Sequence, residues 1–441
     1  MHTRLAVTIH PWSSGNLFTE YHANIMRRRV AITGTGVISR LGSSAELVHT
    51  ALCEQHVSLC RIEEFVPQGF EPRRGGSLTS FQPELHLQGK PFRALDRTGR
   101  LVASAATLAL SSSGWDEQAL KNNAVGLVLG TMFSSMHTIG QFDRHALIEG
   151  PSCASPMDFA NTVINSAAGQ TAIWHKLRGI NSTISSGAIS GLMALGYAAD
   201  LISDGRQTTI LAGGADEFCF ESFCGLERAG LLRNCAAKEE CSVPFDFRRN
   251  GFALTEASAL LMLEEWESAR SRGANILGEI NGHANAFNPI YYKQYHEPDA
   301  IARAMRSALA DGGLVASEVD FISASANGST LADEHEARAI GAVFSGCQVP
   351  VVAIKSMLGE SLGASGVLQA VDLIETLRTG LLPGILGLES ADPQMPALDF
   401  CRNTRSSHIR SGLINSVGFD GHACSLLISA PRSETGSHRA H

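Results

Sequence analysis

The chain has 441 residues, of which 44% are hydrophobic and 18% are charged, and its formal net charge at pH 7 is −8. This length allows a large core in one domain or in two fused halves. The acidic balance gives no electrostatic signature of nucleic-acid binding. No apolar run approaches the ~20 residues that a membrane-spanning helix needs. A charged content below the ~25% typical of soluble domains indicates either an extensively buried oligomer or a large monomeric core.

The cysteines give no sign of a disulfide framework or of a metal centre. Ten cysteines are scattered along the chain without paired spacing. The nearest approach to a cluster is Cys219, Cys224, Cys235 and Cys241, with no histidine at zinc-finger spacing beside it. We therefore expect reduced, mostly buried thiols and no metal site.

The N-terminal part of the chain begins with a segment of unclear period and continues with buried elements. Residues 1–27 show no clear period and are interpreted as an extension. Residues 26–39 are an apolar run that ends in a glycine turn, which predicts a buried strand. This turn lacks the third glycine and the acidic residue of a dinucleotide fingerprint, so no nucleotide site is expected. Apolar spacing then predicts a core helix over 96–112 and a buried strand over 124–130.

The next segment, 131–150, has apolar residues at helical spacing. Met136, Ile139 and Phe142 stand three residues apart, which is consistent with one face of a helix. An acidic-Gly-Pro turn follows at 149–151.

The central feature of the sequence is a turn of small residues at 184–191. It follows a short β-like run and opens a strongly apolar helix that ends near 204–205, and a second strand follows over 208–214. Thioester-forming enzymes place a nucleophilic cysteine on such a strand-to-helix turn, where the helix N-terminus stabilises a thiolate.

The second half of the chain repeats the alternation of helices and strands. An amphipathic helix is predicted over 299–311, and strands are predicted over 319–325 and 350–354. The strand at 319–325 leads into a polar turn and an acidic helix start, where Asp333, Glu334 and Glu336 suit the helix dipole. A closing pair of strands is predicted over 411–429. Buried strands that alternate with helices in both halves indicate an α/β architecture.

Several motifs together resemble those of the β-ketoacyl synthases, which belong to the thiolase superfamily. The matching segments are 184–191, 212–214, 244–252, 323–329, 355–366 and 415–421. The resemblance extends over 28–430 and implies a thiolase-like fold of two similar halves packed in α-β-α-β-α layers. The halves are placed at 28–283 and 284–432, and a disordered tail is placed at 433–441.

The same resemblance implies that the catalytic residues of the family are missing. Condensing members use a cysteine and two histidines, and those positions fall on Ala188, Ser325 and Glu360 in this sequence. An alanine cannot be acylated, and an ionised glutamate would repel a developing enolate. Loss of even one oxyanion donor typically costs ~3–4 kcal/mol of transition-state stabilisation. We therefore expect no catalytic residue and no chain elongation. The family's active-site lysine and phenylalanine are retained as Lys355 and Phe419, and Lys355 is expected to pair with Glu360.

A synthase-like chain without its nucleophile resembles the chain length factor (ketosynthase-beta) of type II polyketide synthases. That family implies a heterodimer with an active ketosynthase-alpha, an acyl carrier protein that docks mainly on that partner, a polyketide intermediate in a shared tunnel, and no cofactor. It also implies a cytoplasmic location. Chain length factors commonly have glutamine at the cysteine position, so Ala188 is a departure. The tunnel-closing positions fall on Met136, Ile139, Phe142 and Asp143, for which plain interface packing is the alternative.

Two other functions stay open at the level of sequence. Ser185, Ser186 or Ser190 could act as a displaced nucleophile in an acyltransferase or hydrolase, with Glu360 as base. The chain could also be a homodimeric scaffold of thiolase fold.

Overall fold

The computed structural model describes residues 27–62, 74–89, 92–232, 242–288 and 299–431. The predicted extension at 1–27, apart from Arg27, and the predicted tail at 433–441 lie outside these ranges, as do Cys235 and Cys241. Within the described ranges, no helix combines the length and the apolar character needed to cross a membrane.

The N-terminal half provides seven described strands and nine described α-helices. The strands are β1 (Val30–Ile38), β2 (Cys60–Arg61), β3 (Arg74–Gly75), β4 (Gly126–Gly130), β5 (Asn181–Ile184), β6 (Thr209–Asp216) and β7 (Ala257–Glu265). The helices are α1 (Ala45–Cys53), α2 (Arg97–Ser112), α3 (Glu117–Asn122), α4 (Met136–Ile148), α5 (Pro156–Phe159), α6 (Ser166–His175), α7 (Ser190–Ser203), α8 (Phe220–Arg228) and α9 (Trp266–Ser271). Short 3-10 helices lie at Pro83–Leu85 and Pro151–Cys153.

The C-terminal half continues the alternation. Its strands are β8 (Gly278–Phe287), β9 (Phe321–Ser323), β10 (Pro350–Val352), β11 (Leu381–Leu382), β12 (Asp399–Phe400), β13 (Arg405–Ser406), β14 (Ser411–Val417) and β15 (His422–Ser429). Its α-helices are α10 (Asp299–Asp311), α11 (Thr330–Val343), α12 (Lys355–Leu358) and α13 (Ser365–Thr379). Short 3-10 helices lie at Ala316–Glu318 and Leu362–Ala364.

Ten of the eleven described strands of the main sheet follow one five-strand pattern that is used twice, and β12 adds a parallel strand beside β10. The order of the sheet is β12-β10-β9-β14-β15-β8-β1-β7-β6-β4-β5. In the N-terminal half, β5, β4 and β6 are parallel and β7 and β1 continue antiparallel. In the C-terminal half, β10, β9 and β14 are parallel and β15 and β8 continue antiparallel. The chain enters the strands of both sets in the same order, which confirms the expectation of two similar halves.

The two halves join where β1 pairs antiparallel with β8. The boundary placed between 283 and 284 falls inside β8, and that division of the chain stays a prediction.

Three hydrophobic cores hold five layers together, and the central core contacts both half-sheets. Between the half-sheets, α7 and α13 pack against each other and share a core that includes Leu192, Leu195 and Val371. Helix α2, with α6 packed on it, covers the outer face of the N-terminal strands. Helix α10, with α11 packed on it, covers the outer face of the C-terminal strands. The expected α-β-α-β-α arrangement of a thiolase-like fold is therefore confirmed.

The layered burial explains why apolar runs located the strands. The predicted strands β4 and β6 are buried at every residue, because helices cover both faces of the sheet. Capping side chains account for the predicted helix starts. The Asp96 side chain accepts a hydrogen bond from the Gly99 amide at 2.9 Å and starts α2 within one residue of its predicted start.

Candidate functional site

The small-residue turn between β5 and α7 holds a methyl group at its centre. Gly187 adopts φ +63°, a left-handed conformation that glycine accepts without strain. The Ser190 hydroxyl accepts a hydrogen bond from the Ser186 amide at 2.8 Å and donates to the Gly187 carbonyl at 2.6 Å. Ala188 is 3% exposed and presents only its methyl. The turn is thus closed by Ser190 and has no group that could carry an acyl chain at position 188.

Glycines bring this turn against the segment that follows Glu360. A Cβ placed on Gly191 or on Gly214 would lie 2.0 Å from the Gly363 carbonyl oxygen, far inside van der Waals contact. A Cβ on Gly130 would lie 2.2 Å from the Ser190 backbone. The start of α7, the ends of β4 and β6, and the Gly363 turn therefore meet at one point, which only glycine permits.

Glu360 occupies the centre of a closed hydrogen-bond network. Its Oε2 accepts from the Lys355 ammonium at 2.9 Å and from the Asn327 side-chain amide at 2.8 Å. Its Oε1 accepts from the Ser365 hydroxyl at 2.6 Å and from the Leu362 amide at 3.0 Å. Two donors on each oxygen leave no place for a carboxyl proton, so this side chain is an acceptor only. It cannot donate a hydrogen bond to a thioester oxygen.

Ser325 belongs to the same network. Its hydroxyl oxygen accepts from the Val417 amide at 2.9 Å and from the Lys355 ammonium at 3.3 Å. Lys355, buried with Glu360, thus bridges the two positions that the sequence places 35 residues apart. The ion pair expected between Lys355 and Glu360 is present.

Two carboxyl groups hold the turn that carries Ser325. Asp333 accepts from the amides of Phe245, Asn327 and Gly328 at 3.1 Å each. Glu336 Oε1 accepts from the Ser325 amide at 2.8 Å. The sequence suggested that these acids serve the helix dipole. Asp333 does lie in the first turn of α11. The structure corrects the suggestion for Glu336, which lies beyond that turn: its side chain is fully buried and accepts from the Ser325 amide.

Burial makes both carboxyl groups weaker acids. Desolvation raises the pKa of Asp333 to about 6 and that of Glu336 to about 7, against the lowering effect of their hydrogen bonds. Glu336 Oε2 is buried and has no hydrogen-bond partner among the described residues, so no donor there stabilises a charge on this oxygen.

Glu336→Gln is therefore expected to remove part of the pH dependence of stability. The folded pKa lies above the unfolded value of 4.5, so the folded state keeps its proton as pH rises through this interval. The free energy of unfolding then falls between about pH 4.5 and 7, by up to about 1.4 kcal/mol per pH unit. Urea denaturation at pH 5 and pH 8 should show a smaller fall for the variant than for wild type. The exposed Glu46→Gln is the control, and an equal fall in wild type and Glu336→Gln would contradict this assignment.

Asp216 is a positioning residue that the sequence analysis did not single out. It is fully buried and accepts from the Thr131 hydroxyl and from the amides of Met132, Phe133 and Gly363, all at 2.8 Å. Burial raises the pKa of this carboxyl, and the backbone hydrogen bonds oppose that effect. The residue ties the loop before α4 to the Gly363 turn. Its signal in the sequence is the Ala-Gly-Gly-Ala-Asp run at 212–216, which ends β6.

The four residues assigned to tunnel closure lie on α4. Met136, Ile139 and Phe142 are half-buried, whereas Asp143 is exposed. The Phe142 ring lies 5.9 Å from the Phe159 ring, measured between centroids. No residue of α4 is fully buried in the isolated chain. The helix therefore lies at the surface of the chain, and its role in a tunnel stays a prediction.

The retained phenylalanine and its neighbours lie beside the same turn. Phe419 stacks on Phe252 with ring centroids 5.1 Å apart. A Cβ on Gly187 would lie 3.4 Å from the Asp420 carboxylate. Asp420 in turn accepts from the His422 ring at 2.9 Å.

The assembled groups are a methyl, a hydroxyl and a carboxylate, with a lysine between the last two. Of the three candidate serines, Ser190 already donates its proton to a carbonyl, Ser186 is half-buried and Ser185 is exposed. Within the described ranges, no group of three or more histidine, cysteine, aspartate or glutamate side chains could hold a metal ion.

Comparisons with known proteins agree with the fold. The model of the beta-ketoacyl synthase N-terminal domain matches residues 27–269, and that of the C-terminal domain matches residues 277–389. The chain is 30% identical to a 3-oxoacyl-[acyl-carrier-protein] synthase 2 of Coxiella burnetii, over 91% of this chain and 99% of that protein. It is also 30% identical to a putative polyketide beta-ketoacyl synthase 1 of Streptomyces halstedii, over 92% and 99%.

A solved structure described as the ishigamide ketosynthase/chain length factor superposes with a TM-score of 0.85 at 29% identity, covering 92% of this chain and 100% of that one. The two family models together match most of the sequence, and the fold repeats their two-half architecture. The chain belongs to the beta-ketoacyl synthase family.

Proposed function

We propose that this chain is a non-condensing chain length factor subunit, which pairs with an active β-ketoacyl synthase in type II polyketide biosynthesis and shapes the acyl tunnel. The observation that carries the proposal is the closed network around Glu360. Four donors hold its carboxylate where a condensing enzyme needs a hydrogen-bond donor to stabilise enolate charge. The methyl of Ala188 removes the nucleophile at the same time.

Similar proteins support a role beside an active synthase. One structural neighbour is described as a ketosynthase/chain length factor. Another, at 25% identity and a TM-score of 0.83 over 92% of this chain and 100% of that one, is described as a type II polyketide synthase acyl-carrier protein in complex with its ketosynthase bound to the hexaketide. We assign this chain the same class of partners: an active ketosynthase-alpha, a carrier protein that docks mainly on it, and a polyketide intermediate. The proposal implies a cytoplasmic location, where the carrier protein would be.

The surface around α4 and β5 supports a protein partner. Strand β5 lies at the edge of the main sheet, and its residues are exposed or half-buried in the isolated chain. Large apolar side chains in the neighbouring segment are exposed, and Leu147 is 85% exposed. The others are Ile148, Met157, Phe159, Val163 and Ile164. An unpaired strand edge beside an apolar patch is a surface that needs cover. We infer that the active synthase covers it.

The test is an acyl-transfer assay with radiolabelled acyl and malonyl carrier proteins. We expect the isolated chain to acquire no covalent label at the 184–191 turn and to form no β-ketoacyl product, because position 188 carries no thiol. Together with an active partner, label should appear on the partner alone. Ser186→Ala and Ser190→Ala serve as controls. Label on the native chain that disappears in either variant would replace this proposal with the displaced-serine acyltransferase.

The oligomeric state distinguishes the proposed heterodimer from the remaining alternative, a homodimeric scaffold. Sedimentation of the co-expressed subunits should give a one-to-one heterodimer. A stable homodimer of this chain that ignores the active partner would favour the scaffold function instead.

A further inference from the structure

A cysteine, a histidine and an aspartate form a connected cluster away from the Ala188 turn. His49 and Cys53 stand four residues apart on α1, so both lie on one face of that helix. This face packs against α13, which carries Asp372 and Thr379. The Cys53 sulfur lies 3.5 Å from His49 Nε2, and His49 Nδ1 lies 2.8 Å from Asp372 Oδ1.

The hydrogen bonds around the ring determine its protonation. The Thr379 hydroxyl donates its single proton to the Glu375 carbonyl at 2.9 Å, so its oxygen can only accept from His49 Nε2, at 3.0 Å. Nδ1 faces a carboxylate and therefore also carries a proton. His49 is thus an imidazolium with both nitrogens donating. Burial, the largest single influence, lowers the pKa of His49, but the hydrogen bonds to Asp372 and Cys53 and their charges together raise it to about 10.

Asp372 balances the positive charge of the His49 ring on the side that faces away from Cys53. Asp372 is fully buried and supplies the counter-charge, and within the described ranges its Oδ2 has no hydrogen-bond partner. The Nε2 proton is shared between the Thr379 oxygen and the Cys53 sulfur, which is half-buried and within reach of solvent. A charged donor held beside a half-buried sulfur is the arrangement of a positioned cysteine nucleophile.

We propose that Cys53 is a nucleophilic thiol, positioned by His49 and Asp372, which forms mixed disulfides with small-molecule disulfides. The sulfur attacks one sulfur of the disulfide, a new S–S bond forms, the old S–S bond breaks, and the second half leaves as a thiolate. Cys53 is oxidised to the mixed disulfide, the leaving half is reduced, and the cysteine proton passes to solvent. None of the groups at Ala188, Ser325 or Glu360 takes part, so the proposal does not depend on the function assigned to that site.

Other thiols of the chain provide internal references. Cys347 is half-buried like Cys53 but packs among hydrophobic residues of the C-terminal core. Cys401 and Cys424 are buried, and burial raises the pKa of the Cys401 thiol to about 11 and that of Cys424 even further. These two should stay unmodified as long as the fold is intact.

The experiment exposes the full-length protein to oxidised glutathione at pH 7, quenches it with N-ethylmaleimide and quantifies each cysteine by peptide mass spectrometry. Cys53 is expected to form the glutathione adduct about tenfold faster than Cys347. In His49→Gln and in Asp372→Asn, its rate should fall to near that of Cys347, while Cys401 and Cys424 stay unmodified.

Equal rates for Cys53 and Cys347 in the native protein would overturn the proposal. So would an unchanged Cys53 rate in a folded His49→Gln variant. If a variant exposes Cys424 and is therefore unfolded, the native rate ratio alone decides the question.

Discussion

Lys355→Met is expected to lower the free energy of unfolding by about 3–5 kcal/mol, the usual cost of leaving a buried charge without its partner. The Lys355 ammonium lies 2.9 Å from Glu360 Oε2, and the two side chains are 3% and 1% exposed. Removing the lysine leaves the carboxylate with three neutral donors and no counter-charge, and it also removes a donor to Ser325. Urea denaturation of the purified protein, followed by circular dichroism, measures this loss.

Two further variants test whether this loss of stability comes from the buried Lys355–Glu360 ion pair. Lys121→Met is the matched control, since Lys121 forms an exposed i,i+4 pair with Glu117 and should change stability little. The double variant Lys355→Met with Glu360→Gln should recover part of the loss, because it removes the uncompensated charge while an amide keeps an acceptor oxygen. A loss for Lys355→Met no larger than that of the control would contradict the buried ion pair.

The sequence was sufficient for the fold because its strongest signals are local. Apolar runs located β4 and β6, and glycine-rich turns marked the points where backbone elements meet within van der Waals contact. The positions of Ala188, Ser325 and Glu360 followed from motif order. Their assembly is consistent with that order, since Lys355 contacts both Ser325 and Glu360 and the Gly363 turn contacts Gly191.

The supporting partners could not be predicted, because they come from distant parts of the chain. Asp216 reaches the Gly363 amide across 147 residues, and His49 reaches Asp372 across 323. No periodicity links such pairs, and only the packing of α7, α13 and α1 brings them together. The half-buried state of Met136, Ile139 and Phe142 was equally out of reach, since helical spacing predicts which residues share a face but not what lies against that face.

Phe142→Ala, co-expressed with the active partner, is expected to give longer polyketide products. The substitution removes about 4–5 Å of side chain beyond Cβ, room for one or two more two-carbon units at about 2.5 Å each by ordinary bond geometry. The stability cost should fall below the ~2–5 kcal/mol of a fully packed site, because Phe142 is only half-buried in the isolated chain. Products are sized by mass spectrometry, and sedimentation checks that the heterodimer is intact. Met136→Ala tests the same face of α4.

A variant of the neighbouring residue shows whether the tunnel is closed by a different residue of α4 or by none of them. Asp143 is exposed on α4, so Asp143→Ala should leave product length unchanged if Phe142 closes the tunnel. Longer products from Asp143→Ala alone would move the closing position by one residue and keep the tunnel. Unchanged length in all three variants, with the complex intact, would assign Met136, Ile139 and Phe142 to plain interface packing. In that case the partner alone would set product length, and this chain would contribute only the surface on which the active synthase is assembled.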